Sequence, residues 1–400
     1  MNDLLTSIIR NVLINPIIYS SIYIKLLLIF IVLRFVHRIW WQIDGHKYQP
    51  FLDPHKELST FLQLIKSSDN ENDYTKEHIC ISKDNIKLKY HKIGNGNKKI
   101  LLLNGVGTGV FMWVPVFKFL MKLRPNIFNE VTIIIPSYRG LFGSNNIDDK
   151  NDVIITLPII ATDIHEIMKH NNIKRFHCII GWSLGALTAL ILASTPPITG
   201  ESIHTDGNKI PLIADKLFLL NPSSGETLHT VLQSFYPLPR FVGTIISGIV
   251  KGLLQNILKP LTYTSIIWDI LKFVAFSFPF RVFLFFLAFF GGFPPEQPPY
   301  FHAYMRDTFQ SRAHTRGLLD LICSLDIKPQ PGALCLPHEA TIISGLPDSM
   351  TGVYHSQILA KQMPNNKHVM FTMGSHFVLL EWPFAVAKEI IELIFEKRNS

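Results

Sequence analysis

Three residues far apart in the chain, Ser183, Asp348 and His376, have the side-chain types that serine-based acyl transfer requires. Ser183 stands in Gly181-Trp182-Ser183-Leu184-Gly185, a G-x-S-x-G pattern. A serine hydroxyl is a weak nucleophile at neutral pH and needs a base beside it, and that base needs an acid to orient it. Histidine titrates closest to neutrality, which makes it the natural base. His376, in Met373-Gly374-Ser375-His376-Phe377, and Asp348, in Ser344-Gly345-Leu346-Pro347-Asp348-Ser349, are the candidates for base and acid. Asp326 is a poor rival because it precedes an expected strand instead of following one. His165, His177 and His338 fall on the faces or at the start of expected helices and strands, where a structural role suffices.

The elements that must position these groups follow from the hydrophobic pattern. Arg175–Ile180 reads as a buried strand and Leu184–Ala193 as a helix with small residues at its start. A serine in so tight a strand-to-helix turn requires small neighbours two positions away, a demand that Gly181 and Gly185 meet. The helix amino end then faces the reacting centre, where negative charge develops. Ile79–Ser82 and Ile86–Tyr90 flank a Lys83-Asp84-Asn85 turn and read as a hairpin. Further strands are expected at 99–103, 130–135, 216–220, 340–343 and 368–371, with helices near 110–123 and 157–170. Continuous apolar strands alternating with helices predict an α/β fold with a mostly parallel, helix-covered sheet. Asp348 and His376 each follow a strand, where open α/β sheets present reactive groups. No internal repeat is visible.

The chain has 400 residues, 48% of them hydrophobic, and a formal charge of +8. No Lys/Arg block is interleaved with aromatics, which argues against nucleic-acid binding. Cys80, Cys178, Cys323 and Cys335 form no C-x-x-C pair, so neither a metal centre nor a disulfide framework is indicated. No N-x-S/T acceptor is present, because Asn221-Pro222-Ser223 is spoiled by its proline. Scattered thiols and missing glycosylation sites favour a domain in a reducing, cytosolic compartment. No dinucleotide fingerprint is seen, and no cofactor is expected.

The ordered set of motifs resembles the α/β-hydrolase superfamily, of the cap-bearing, serine lipase/esterase-like kind, over about Ile79–Lys397 less an insertion. Leu103-Asn104-Gly105-Val106-Gly107 matches the family's oxyanion loop, with Asn104 where the family has histidine. Pro136–Ser144 matches its D-x-R-G-x-G-x-S loop, with Ser137 in place of aspartate. Gly374-Ser375-His376 followed by Glu381-Trp382-Pro383 matches the region of the histidine. The resemblance implies the triad Ser183, Asp348 and His376. It also implies an oxyanion hole from the backbone N–H groups of Leu184 and Val106, with Gly105 and Gly107 letting the backbone approach the substrate. Arg139 and Asp163 match family positions with a structural part. Monoacylglycerol lipase-like activity is the nearest analogy. A serine nucleophile implies an acyl-enzyme, not the alkyl-enzyme of superfamily members that attack with aspartate.

Two apolar regions point to lipid. Ile17–Val36 is long enough, at roughly 30 Å as a helix, to cross a bilayer. Its twelve Ile, Leu, Val and Phe residues up to Leu33 outweigh Lys25, a central charge that costs ~3 kcal/mol. Residues 1–45 are therefore expected to be a single-pass membrane anchor, with an in-plane amphipathic helix and a signal peptide as rivals. Trp40 and Trp41 suit the interface. Flanking charge puts the main domain on the cytosolic side, with the endoplasmic reticulum as a candidate membrane. Residues 46–77 are expected to connect, 78–223 and 326–400 to form the core, and 224–325 to be an inserted cap. Ten of the 29 phenylalanines lie between Phe273 and Phe293. Eight Lys/Arg face three Asp/Glu between Arg240 and Arg316. A cap whose apolar face dips into an anionic leaflet fits this composition, as does an aromatic core packed on the main domain. The expectation is a membrane-anchored serine hydrolase acting on a lipid-like ester. Acyl transfer on the same triad and a non-catalytic binding protein remain the alternatives.

Overall fold

The computed structural model describes residues 53–66, 77–144, 155–194, 213–223, 240–263, 265–276, 298–308, 311–324 and 338–396. The expected anchor, most of the polar segment that follows residue 66, the phenylalanine-rich stretch beyond 276, Asp326 and Cys335 lie outside these residues. All described residues belong to one unit, 51–400.

Eight strands form one sheet: β1 (Glu77–Ile81), β2 (Lys87–Ile93), β3 (Lys98–Leu103), β4 (Val131–Pro136), β5 (Phe176–Trp182), β6 (Ala214–Leu220), β7 (Glu339–Gly345) and β8 (Asn366–Phe371). Their order is β1-β2-β4-β3-β5-β6-β7-β8. The β1–β2 hairpin and the β2–β4 pair are antiparallel, and every later pair is parallel. The inner strands are apolar along their whole length because helices cover both faces of the sheet. β4 is buried at every residue, and β5 at every residue but His177.

Among the described residues, the helices of ten residues or more are α1 (Pro54–Lys66), α2 (Val114–Leu123), α3 (Leu157–His170), α4 (Leu184–Ser194), α5 (Arg240–Leu253), α6 (Ser265–Phe276), α7 (Pro298–Thr308), α8 (Arg312–Ser324), α9 (Val353–Gln362) and α10 (Pro383–Phe395). Proline in the first turn of α2, α3 and α10 starts each where its missing N–H costs nothing. One face of the sheet, with Leu101, Ile179, Leu217 and Ile342, shares a core with α3, α4 and α9. Helices α2 and α10 pack on each other, and α10 contacts β6 and β7. α4 is buried around its circumference, so it carries no polar face.

Helix α1 lies inside the stretch expected to act as a connector. It forms because its apolar side has a surface to bury against: Phe61 stacks on Phe117 at 5.7 Å and meets Phe128 edge-on.

Helices α5 to α8 lie between β6 and β7. α5 runs on through a π-helical turn, Leu254–Leu258, to Leu261. The Lys259 ammonium donates to the Asp320 carboxylate at 2.9 Å, joining the end of α5 to α8. Polar bonds tie the insertion down: His55 to Asp307 at 2.8 Å, Tyr300 to Glu57, and the Ser324 hydroxyl to the Ile155 carbonyl at 3.3 Å. Apolar side chains are exposed on its described helices α5 and α6. Ile245, Ile249, Leu253 and Ile257 recur every four residues, and Ile270, Phe273 and Val274 are exposed on α6. Among the described residues, no helix is long and apolar enough to cross a membrane.

Candidate active site

The parallel strands β3, β5, β6, β7 and β8 are consecutive neighbours, and all five deliver site residues from their carboxyl ends. Register aligns these ends: Leu103 pairs with Gly181, Trp182 with Leu220, Leu220 with Ile343, and Gly345 with Phe371. The next residues in each chain segment are Asn104–Val106, Ser183, Asn221, Asp348 and His376. Such an edge is where open α/β sheets gather their chemistry.

Ser183 has φ +55°, a left-handed conformation that a non-glycine residue adopts at a cost of about 1–3 kcal/mol. The turn is held by Ser183 N–H donating to Leu220 O at 2.9 Å and by Ala186 N–H donating to Ser183 O at 3.0 Å. The small neighbours are steric necessities. A Cβ on Gly181 would lie 2.5 Å from the Gly185 carbonyl, and one on Gly185 would overlap the Leu103 carbonyl of β3. Gly105 faces the Trp182 ring, which a Cβ would meet at 3.1 Å.

His376 Nε2 lies 3.0 Å from Ser183 Oγ, and His376 Nδ1 lies 2.9 Å from Asp348 Oδ2. All three side chains are buried. With Nδ1–H donating to the carboxylate, Nε2 is left with its lone pair toward the serine. Asp348 also accepts the N–H groups of Met350 at 2.8 Å and Thr351 at 3.0 Å on Oδ1, and the Thr351 hydroxyl at 2.6 Å on Oδ2. Burial alone would raise its pKa. The adjoining imidazole and the Thr351 donors outweigh that and hold the carboxyl well below the usual carboxylate range. Asp348 thus stays ionised without solvent.

Leu184 begins α4 directly after the serine, and Val106 follows the end of β3. Among the described residues, neither N–H donates to a protein acceptor. Asn104, which replaces a histidine of the family pattern, accepts the Trp113 indole N–H on Oδ1 at 3.0 Å, while its carbonyl accepts the Tyr138 hydroxyl at 2.7 Å. The loop is therefore fixed from two sides. Gly107, with φ +65°, leaves room for Leu318 and Tyr304 of the insertion. The buried Arg139 is bound by the buried Asp163 and the exposed Asp84, a cluster that secures the β4 loop. Among the described residues, no group of His, Cys, Asp and Glu side chains could hold a metal ion, and Cys80, Cys178 and Cys323 are buried.

Several contributors were not singled out by sequence reasoning. Trp182 is only a variable position of the motif, yet its indole N–H donates to the His376 carbonyl at 3.0 Å and its ring contacts Phe377 edge-on. Gly345 abuts the Gly374 backbone so closely that any side chain there would drive the acid and histidine loops apart. Asn221 donates from Nδ2 to Asp348 Oδ2 at 2.6 Å. The run of apolar residues ending in Asn221-Pro222 marks a strand end, but nothing local marks its partners.

Residues 100–389 match the Alpha/beta hydrolase family. Curated protein sequences yield no match. Solved structures share the fold at low identity. A hydrolase from Pseudomonas aeruginosa aligns with TM-score 0.54 at 18% identity, over 80% of this chain and 98% of its own. An esterase from Exiguobacterium antarcticum gives 0.54 at 12%, over 80% and 99%. A membrane phospholipase A gives 0.55 at 14%, over 95% and 100%. With its motifs in the family's order on the family's sheet, this chain belongs to the alpha/beta hydrolase family.

Proposed function

We propose that this protein is a serine hydrolase that cleaves a carboxylic ester of a lipid-like substrate at a membrane surface. The observation that carries the reading is the unbroken relay from Ser183 Oγ through His376, 3.0 Å away, to Asp348, 2.9 Å further on. His376 Nε2 takes the hydroxyl proton as Ser183 Oγ attacks the ester carbonyl. The oxyanion is held by the N–H groups of Leu184 and Val106, each such donor being worth on the order of 100-fold or more in rate. Asp348 stabilises the imidazolium, which gives its proton to the leaving alcohol. Water then enters, loses a proton to His376 and releases the acid from the acyl-enzyme.

The lipid reading rests on surfaces. The helices over Gly107 act as a cap, and their outward row Ile245, Ile249, Leu253 and Ile257 suits a hydrocarbon boundary. The surplus of Lys/Arg over Asp/Glu across the insertion suits anionic headgroups. The apolar segment Ile17–Val36 supplies a second, stronger attachment that leaves the hydrolase domain on the cytosolic side. A membrane phospholipase A among the structural neighbours is consistent with lipid chemistry on this scaffold.

The test is hydrolysis by the purified full-length protein of monoacylglycerols, lysophospholipids and short p-nitrophenyl esters, with Ser183→Ala as control. Release of fatty acid that the variant abolishes supports the reading. Acyl transfer to an added alcohol in preference to water would replace hydrolysis with transferase activity. Turnover equal in wild type and variant would end the assignment.

A further inference from the structure

Asn221 is placed like a part of the site and has no part in the chemistry just described. It follows β6, between the serine turn and the acid loop, in a left-handed conformation with φ +45°. Its side-chain Nδ2 donates to Asp348 Oδ2 at 2.6 Å and to the Ser375 carbonyl at 3.2 Å. Its main-chain N–H donates to Ile343 O at 2.7 Å, and its carbonyl lies 3.3 Å from the Thr351 hydroxyl oxygen. One residue thus touches β7, the acid loop and the residue before the histidine.

We propose that Asn221 is a positioning residue that sets the acid and histidine loops in register, through one amide group bridging the Asp348 carboxylate and the Ser375 carbonyl. The inference rests on the assignment of Ser183, His376 and Asp348 made above. Two features separate this contact from ordinary packing. The side-chain Oδ1 is buried and has no hydrogen-bond partner among the described residues, and the backbone is left-handed at a residue other than glycine. Such features persist where the surroundings enforce them, and they cluster at functional sites. Asparagine also fits the electrostatics. Asp348 Oδ2 is the oxygen that faces the imidazole, and it receives three donors: His376 Nδ1, Asn221 Nδ2 and Thr351 Oγ1. A neutral donor at 221 steadies the carboxylate without adding charge, whereas a carboxylate there would confront it. Glu381 accepts the Ser375 N–H at 2.6 Å and so also holds the histidine loop.

Two substitutions separate positioning from bulk. Asn221→Asp keeps the shape and its tolerance of positive φ but brings two carboxylates together, which then share a proton. Asn221→Gly keeps the backbone relaxed and removes the amide. With p-nitrophenyl butyrate as substrate, both are expected to lower kcat by about tenfold or more while KM stays near wild type, since a distorted relay weakens the transition state more than binding. In Asn221→Asp, the pair carries one negative charge while it shares the proton and two once that proton is lost, so the kcat/KM profile gains a pH-dependent step that wild type lacks. Wild-type kcat in both folded variants and no added step in the Asn221→Asp profile would overturn the inference. Labelling of wild type by a fluorophosphonate at Ser183 runs alongside. A labelled wild type with unaffected Asn221 variants refutes the positioning role alone, whereas an unlabelled wild type refutes the triad and this inference with it.

Discussion

The sheet and the insertion bury their apolar residues in opposite ways. In the sheet, Leu101, Ile134, Ile179, Leu217 and Ile342 are sealed between helical layers, and the five strand ends are fixed by backbone register. In the insertion, Ile249 is 57% exposed and Phe273 78% exposed, while polar pairs such as Lys259–Asp320 and His55–Asp307 hold the helices. Under the proposed function, the difference separates two tasks. Acyl transfer needs atoms placed to within fractions of an ångström, which a close-packed core supplies. Meeting a lipid surface needs apolar area turned outward, which a core cannot supply.

The strongest way to break this division is to strike the sheet side. Asp348→Asn leaves the shape intact but favours the wrong imidazole tautomer, and kcat is expected to fall on the order of 10⁴-fold with little change in KM. Steady-state kinetics on a soluble p-nitrophenyl ester measure it. Gly185→Ala comes next, because its Cβ would overlap the Leu103 carbonyl. The serine turn must open, so ester turnover should drop by about 100-fold or more, since misplacement by about 1 Å costs that much.

On the insertion side the effects should be smaller and of another kind. Ile249→Glu with Phe273→Glu should weaken binding of the full chain to phosphatidylcholine–phosphatidylserine vesicles. Each lost large side chain is worth roughly 1.5–3 kcal/mol of apolar burial. Turnover of soluble p-nitrophenyl butyrate should stay at the wild-type level. Loss of both would show that the insertion shapes the reacting centre and does not simply cover it.

The smallest effect concerns pH. Burial lowers the pKa of His314 to about 4, although the nearby Asp307 pulls it upward. An unfolded histidine titrates near 6.5, so the stability that neutral His314 contributes is present above about pH 6.5 and is lost as pH falls toward 4. His314→Gln should flatten the decline in melting temperature over that window while leaving the value at pH 8 little changed.

What could be read in the sequence follows the same division. The strands were legible because each is a short apolar run bounded by breakers, and the site because G-x-S-x-G fixes a local turn whose glycines are explained within five residues. Asp348 and His376 were legible by chain order and by following strands. Asn221, Trp182 and Gly345 were not, because their partners, at 348 and 375, at 376 and at 374, lie across the sheet edge and leave no local pattern. Helix α1 was missed for a related reason: its amphipathic face means little until Phe117 and Phe128 provide the other half of the contact.

The central claim is that Ser183 is a nucleophile made reactive by His376. Incubating the purified protein with a fluorophosphonate and mapping the adduct by peptide mass spectrometry tests it most directly. The account predicts one adduct, on Ser183, formed rapidly in wild type, far more slowly in His376→Ala and not at all in Ser183→Ala. A wild type that stays unmodified while folded, or equal modification of Ser183→Ala, would contradict it.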